Sequence, residues 1–398
     1  MDIIILADFS GKFNGKGNNR FQYIANLLAK DHDVEILTSD FSHGTKKHFD
    51  EKPDESLPYK VTMLHEPGYP KNVCLRRFYS HFVWGKNVKK YLKKRKKPDV
   101  IYSAVPTLTA AYEAAKYCKK NGIKFIVDIQ DLWPEAYEMV FNVPIISSII
   151  FAPFKWIANG AYKRADEIVA VSQTYIDRAL KVNKTASSAL PVFLGTNLDD
   201  FDKLNEANKC EREENDNDVL IGYVGTLGHS YDIECVIDAL DILKNQGYSN
   251  LKFLVMGDGP LRARFEQYAR DKGVDATFTG RLDYGVMVGR LCVCDIVVNP
   301  IVPKAAQSII NKHADYVASG IPVVNTQESP EYRKLVEDYN MGFNCECSNA
   351  EDMAEKIKIL TDNADLRKEM GENARRCARE KFDRKNTYTK IVSIITGE

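Results

Sequence analysis

The residues of this chain best suited to chemistry come in small groups just behind apolar runs. Lys312 and Asp315 stand three apart, so a helix would carry a cation and a carboxylate on one face, able to grip one ligand together. Gly320 suits the left-handed position that ends a helix, Pro322 cannot continue one, and an apolar strand follows. Such a pair could hold a phosphorylated sugar nucleotide, although a surface ion pair before an ordinary strand reads the same locally. Asp131 and Glu135 follow the apolar run 125–129, in the region beyond a strand's carboxyl end where parallel sheets bind ligands. A helix cap made of aspartate, proline and glutamate would look alike. Arg20 opens a helix behind a loop containing Gly17 and Asn18, where close backbone approach and a cation could meet an anion; a surface arginine behind a solvent loop is the other reading. In the second half, Gly225 and Thr226, Gly257 and Asp258, Arg281, and Asn299 each close an apolar run. These four strand ends, small or polar, should gather in one crevice with the geometry that phosphate binding needs. Asp216-Asn217-Asp218 spells D-x-D, a pattern for holding a divalent metal, but it lies in a solvated charge run, so no metal site is expected.

The elements that must position these groups alternate strand and helix. Residues 3–6, a glycine-rich turn, a helix over 21–30 and a strand over 34–38 form a βαβ unit, which implies a parallel sheet. Further strands are expected near 59–64, 99–103, 125–129 and 165–172, and a helix over 75–97. A second series starts at 220–224 and continues through 251–256, 277–281 and 295–300. Residues 203–218 are almost wholly polar and read as an exposed connection. A chain of 398 residues exceeds what one core usually organises, so two α/β domains are expected. The first glycine pattern is not G-x-G-x-x-G, so a nicotinamide cofactor is not supported and no cofactor is expected.

Lysine plus arginine and aspartate plus glutamate both total 55, so no global charge argues for nucleic acid. The nine cysteines include no C-x-x-C pair and read as reduced thiols, which fits a cytoplasmic setting. The chain opens on an apolar strand without a basic leader, and its most apolar run, 143–158, is too short to span a bilayer. Lys86, Lys89, Lys90, Lys93, Lys94, Arg95, Lys96 and Lys97 crowd the end of one helix. Cations complement a helix C-terminus, but eight exceed what capping needs. Peripheral contact with an anionic membrane surface through 86–97 is a reading at about 1 kcal/mol per cation. No aromatic platform accompanies the patch, so nucleic acid is not an expected partner.

Taken in order, these motifs resemble the family-four glycosyltransferases of GT-B fold. The likeness rests on Asn19-Arg20-Phe21, the block 131–135, residues 165–172 and 195–199, Gly225 to Gly228, Gly257-Asp258-Gly259-Pro260, Phe278 to Arg281, 312–324, and Met370-Gly371 with Phe382. The 131–135 block, Asp-Leu-Trp-Pro-Glu, resembles the subgroup of N-acetylfucosamine transferases of surface-polysaccharide assembly. The resemblance implies two Rossmann-like parallel-sheet domains facing a central cleft. It places an acceptor domain at 1–198, joined by a final helix over 380–398, and a donor domain at 199–379. It also implies retaining transfer of a hexose-type sugar from a nucleotide-sugar, UDP-linked, to a glycan or lipid-linked acceptor, without a metal, at the inner face of the membrane. Donor-site residues would be Gly17, Asn18, Arg20, Gly225, Thr226, Gly257, Asp258, Arg281, Asn299, Lys312 and Asp315, and Asp131 with Glu135 would act at the reacting centre. The family's paired glutamates are represented by Gln307 and Asp315, its histidine after the fourth strand by Ala104-Val105-Pro106, and its basic pair after Gly225 by Leu227 and Tyr231. These departures keep open an epimerase of the same architecture or a non-catalytic subunit.

Overall fold

The computed structural model describes residues 1–14, 19–140, 144–210, 218–305 and 309–398. The expected sites Gly17, Asn18 and Gln307 lie outside them, as do Asp216 and Asn217. The chain divides into one compact unit of Met1–Val192 with Tyr388–Glu398, and another of Phe193–Thr387.

The first unit is built on a parallel sheet. Its strands, in chain order with a short hairpin between them, are Asp2–Leu6 (β1), Asp33–Ser39 (β2), Phe41–Ser42 (β3), Lys47–His48 (β4), Lys60–Leu64 (β5), Val100–Val105 (β6), Lys124–Ile129 (β7), Glu167–Ala170 (β8) and Ser188–Pro191 (β9). The sheet order is β5-β2-β1-β6-β7-β8-β9, with β3 and β4 paired separately and antiparallel. Ile3, Ile4 and Ile5 are wholly buried, as a strand covered on both faces by crossover helices requires. The helix Arg20–Leu28 starts where the Asn19 side chain accepts the Gln22 N–H at 3.0 Å. Tyr388, Ile391 and Ile395 of the final segment are buried in this unit's core.

The second unit holds Val219–Val224 (β10), Leu251–Met256 (β11), Ala276–Gly280 (β12), Ile296–Asn299 (β13), Val323–Asn325 (β14) and Gly342–Asn344 (β15), ordered β12-β11-β10-β13-β14-β15. Chain progression reverses between β10 and β13, the switch point where such sheets bind ligands. The polar residues 203–207 are no loop. They complete the helix Leu198–Ala207, whose Leu198 and Phe201 are buried, because two well-placed apolar residues suffice to dock a short amphipathic helix. Among the described residues, no helix is long and apolar enough to cross a membrane. All nine cysteines are free.

Candidate functional site

A cavity of about 870 Å³ opens at the carboxyl ends of the second unit's strands. Gly225 and Thr226 line it from behind β10, Gly257, Asp258 and Gly259 from behind β11, and Arg281 to Tyr284 from behind β12. Asp315 joins them from the helix Asn311–Ser319. Six of the residues singled out by sequence thus surround one space.

Its floor is backbone, because side chains have been kept out. A Cβ on Gly257 would lie 1.8 Å from the Gly225 carbonyl oxygen, and one on Gly259 would lie 2.3 Å from that of Leu227. Gly225 itself has φ of 149°, a conformation that favours glycine. The Gly225 N–H donates to Met256 O at 3.0 Å and the Leu227 N–H to Asp258 O at 3.0 Å, which locks the two turns together. Arg281 is exposed at the rim and has no ion pair among the described residues.

The helix Asn311–Ser319 is fixed across the switch point by Tyr316. Its hydroxyl accepts the Val224 N–H at 2.9 Å and donates to Val298 O at 3.0 Å. Gly320 caps the helix in the left-handed conformation with φ of 70°. Lys312 and Asp315 share a helix face but not a partner. The Tyr284 hydroxyl donates to Asp315 Oδ1 at 2.8 Å, and burial pushes the carboxyl up to about 6. Lys312 turns inward. Its Nζ sits 4.3 Å and 4.2 Å from the ring centres of Tyr223 and Tyr231, and a Cβ on Gly225 would lie 3.1 Å from it. No hydrogen bond reaches this nitrogen among the described residues, and burial holds the amine well below the usual lysine range. Lys312 therefore stands behind the floor of the cavity rather than in its lining.

Three expected residues are occupied elsewhere. Asn299 is wholly buried and donates through Nδ2 to Asn325 Oδ1 at 2.8 Å and Gln327 Oε1 at 3.2 Å, so it ties strand ends together below the cavity. Arg20 is 2% exposed, with its Nε 2.7 Å from Asp128 Oδ2 and its Nη1 donating to Val192 O. A guanidinium so buried needs its carboxylate partner, which removes it as an anion binder. Glu135 accepts from Arg178 through Oε1, and Arg178 also donates to Asn159 Oδ1 at 2.8 Å, so one carboxylate oxygen is held in an ion pair while Oε2 is buried without a hydrogen-bond partner among the described residues.

Asp131 lies in the first unit beside a polar cluster that its local sequence does not announce. The Trp133 indole donates to its Oδ2 at 3.0 Å, and burial raises its carboxyl. Trp133 stacks on His81 with ring centres 5.4 Å apart, and the Arg77 guanidinium lies 4.3 Å from the Trp133 ring centre. His81 Nε2 approaches Asp8 Oδ2 at 3.8 Å and Glu66 Oε1 at 3.9 Å. Thr107 donates to Asp8 at 2.9 Å, while Ser39 and Ser80 each donate to Glu66 at 2.7 Å. Burial, then Glu66, raises the Asp8 carboxyl, and burial, then Arg77, lowers the His81 imidazole. None of these four was singled out by sequence: Asp8 and Glu66 each follow an apolar strand by two residues, the one signal that could have found them, whereas Arg77 and His81 arrive from the distant helix Leu75–Lys94.

Of the eight cations over 86–97, Lys86 and Lys89 approach Glu113 at 3.8 Å and 2.8 Å, and Arg95 bridges Asp2 and Glu35. Lys90, Lys93, Lys94, Lys96 and Lys97 remain exposed. Leu75, Tyr79 and Phe82, at helical spacing on the same helix, are exposed as well.

Residues 205–377 match the family model described as Glycosyl transferases group 1, and residues 18–188 match Glycosyltransferase Family 4. The chain is 24% identical to α-D-kanosaminyltransferase of Streptomyces kanamyceticus over 55% of its own length, and spans only 57% of that relative. It is 23% identical to GalNAc-α-(1→4)-GalNAc-α-(1→3)-diNAcBac-PP-undecaprenol α-1,4-N-acetyl-D-galactosaminyltransferase of Campylobacter jejuni, over 89% of this chain and 88% of that one. The structure of Anabaena HepE in complex with UDP aligns over the full length of both chains with a TM-score of 0.69 at 16% identity, a likeness of fold.

Proposed function

We propose that this chain, which carries a Glycosyl transferases group 1 domain behind a family 4 segment, is a retaining glycosyltransferase that moves a hexose-type sugar from a UDP-linked donor to a glycan or lipid-linked acceptor in surface-polysaccharide assembly. The observation that carries this reading is the glycine-floored cavity with Arg281 and Asp315 on its walls. Departure of a nucleoside diphosphate builds negative charge on phosphate oxygens, and fixed donors that need no rearrangement stabilise it. The Thr226 amide and the Arg281 guanidinium would supply such donors, and Lys312 adds a cation behind the floor when it takes up a proton. Asp315, ionised above about pH 6, would accept the ribose hydroxyls. In the first unit, Asp131 would orient the acceptor or the reacting sugar. An N-acetylfucosamine-type donor rests on the 131–135 block alone.

A panel of nucleotide-sugars tested by thermal unfolding checks the donor claim. The matching donor at about 100 times its dissociation constant should add roughly 2.7 kcal/mol of stability. Stabilisation by no UDP-linked sugar would overturn the donor assignment, and epimer formation without acceptor would replace transfer with epimerisation.

The same reading places the protein in the cytoplasm against an anionic inner-membrane leaflet. Five exposed lysines at one end of a helix and exposed Leu75, Tyr79 and Phe82 nearer its start would supply charge and apolar contact. Flotation with vesicles containing anionic lipid should carry the protein at low salt, and Lys93→Glu with Lys94→Glu should release it. Absence of flotation at every salt concentration would remove the membrane claim.

A further inference from the structure

We propose that Asp40, His48 and His65 form a divalent transition-metal site on the first unit, of the kind that takes Zn²⁺ through two imidazoles and one carboxylate. Three different strands deliver these residues to one place. In the parallel pairing of β2 with β5, Ser39 lies opposite Leu64, so the next residue of each strand, Asp40 and His65, leaves the sheet side by side. The hairpin β3–β4 then turns the chain back. Phe41 pairs with His48, and the Phe49 N–H donates to Asp40 O at 2.9 Å, which returns His48 to the same carboxylate.

His65 Nδ1 is 2.9 Å from Asp40 Oδ2, and His48 Nδ1 is 3.3 Å from Asp40 Oδ1. One ligand atom from each residue lies within 4.8 Å of the other two. Ligands about 2.1 Å from a tetrahedral cation stand about 3.4 Å apart, so the two imidazole–carboxylate separations are close to that spacing, and the remaining one, within 4.8 Å, has at most about 1.4 Å to close. The two imidazole rings are nearly parallel, 14° apart with centres separated by 5.5 Å. The carboxylate is held by the backbone as well, because the Glu66 N–H donates to Asp40 Oδ1 at 2.8 Å. Both histidines are exposed and Asp40 is half-buried, so a cation enters without opening the fold. Binding requires both imidazoles to present unprotonated Nδ1 atoms, which already face the carboxylate.

Two nitrogens and an oxygen without sulfur suit Zn²⁺ and its neighbours in the divalent series, and three protein ligands leave a position for water. The ion would clasp the hairpin to the segment that begins with Glu66. That hairpin also carries His43, whose ring centre is 4.8 Å from that of Phe9, next to Asp8. The clasp would therefore order one side of the buried Asp8–Glu66–His81 cluster. This inference does not depend on the transfer reaction.

The test is titration of the chelator-treated full chain with Zn²⁺ by calorimetry, repeated with Co²⁺ by visible absorption. The wild type should bind one saturable equivalent of Zn²⁺ and show a Co²⁺ d–d band. His48→Gln and His65→Gln should each weaken binding at least tenfold and abolish the band, whereas His32→Gln should leave both intact. Asp40→Asn should lose binding too, but Asp40 also anchors the Glu66 backbone, so the two histidine variants decide if it fails to fold. No saturable equivalent in the wild type, or an equivalent retained by both histidine variants, would overturn the site.

Discussion

Replacing Lys312 with methionine should make the ligand-free protein more stable and its response to nucleotide weaker. The Lys312 amine is buried without a hydrogen-bond partner among the described residues, faced by two tyrosine rings. An unpaired buried polar group costs about 1–3 kcal/mol, and ring faces return about 0.5–2 kcal/mol only to a protonated amine. Methionine is of similar length and apolar, so a net gain of about 1–2 kcal/mol is expected without ligand. The pH dependence has a definite sign. Burial lowers the folded-state value below the ordinary 10.5, so between the two values the unfolded chain holds the extra proton. Wild-type stability should then rise with pH across that window, by up to about 1.4 kcal/mol per pH unit, and Lys312→Met should lose the slope. With UDP present that advantage narrows. A diphosphate in the cavity favours the protonated amine across the Gly225 turn, and loss of that charge should weaken UDP binding about tenfold, about 1.4 kcal/mol. Urea unfolding at pH 7 and pH 9, with and without UDP, measures all of this. A variant less stable than wild type without ligand, yet equally stabilised by UDP, would refute the reasoning.

Gly257→Ala would bring a methyl to 1.8 Å from the Gly225 carbonyl, so the turn must move by about 1.4 Å to regain contact near 3.2 Å. A loss of about 1–3 kcal/mol by urea unfolding is expected, with UDP affinity down tenfold or more by calorimetry, whereas Gly228→Ala, whose nearest neighbour is at 3.7 Å, should change neither. Arg281→Ala should leave the melting temperature within error and weaken UDP binding about 10- to 100-fold, an effect that shrinks for uridine alone. Asp315 is pushed up to about 6, so donor affinity should fall as pH drops through that value and be flat in Asp315→Asn. Because its folded value lies above the ordinary 3.8, the stability it contributes is present below about pH 4 and is lost as pH rises through about 6; Asp315→Asn should remove that fall in a pH series of urea melts.

Most of the second unit's site could be read from the chain because it is made of backbone. Gly225, Gly257 and Gly259 mark places where turns approach within contact of one another, and an apolar strand followed by glycine signals such a turn without knowledge of any partner. The βαβ alternation likewise made both parallel sheets legible, since parallel pairing demands crossovers and strands buried on both faces. Charged side chains were harder. Arg20 stands where an anion-binding arginine would, yet Asp128, 108 residues later, takes its guanidinium. Glu135 follows a strand end as a catalytic carboxylate would, yet Arg178 claims it. Position beyond a strand shows where a side chain is; only tertiary contacts show whether it is free.

Lys312 and Asp315 show how far spacing carries an argument about a ligand grip. Three residues of separation do put both on one helix face, and Tyr316, one position on, fixes that helix across the switch point. The two side chains nevertheless lie at different depths, because Tyr284 draws the carboxylate to the rim while Tyr223 and Tyr231 enclose the amine behind the Gly225 turn. A glycine at 225 is what permits this arrangement, since any Cβ there would come within 3.1 Å of the amine. Depth also shifts both groups in senses opposite to those of a surface ion pair. Asp315, raised to about 6, is nevertheless ionised at neutral pH and accepts the Tyr284 hydroxyl, whereas the buried Lys312 amine gains its charge most readily when an anion arrives. On this account the pair does not pre-form a salt bridge for the donor to break; the donor's diphosphate supplies the anion that Lys312 lacks.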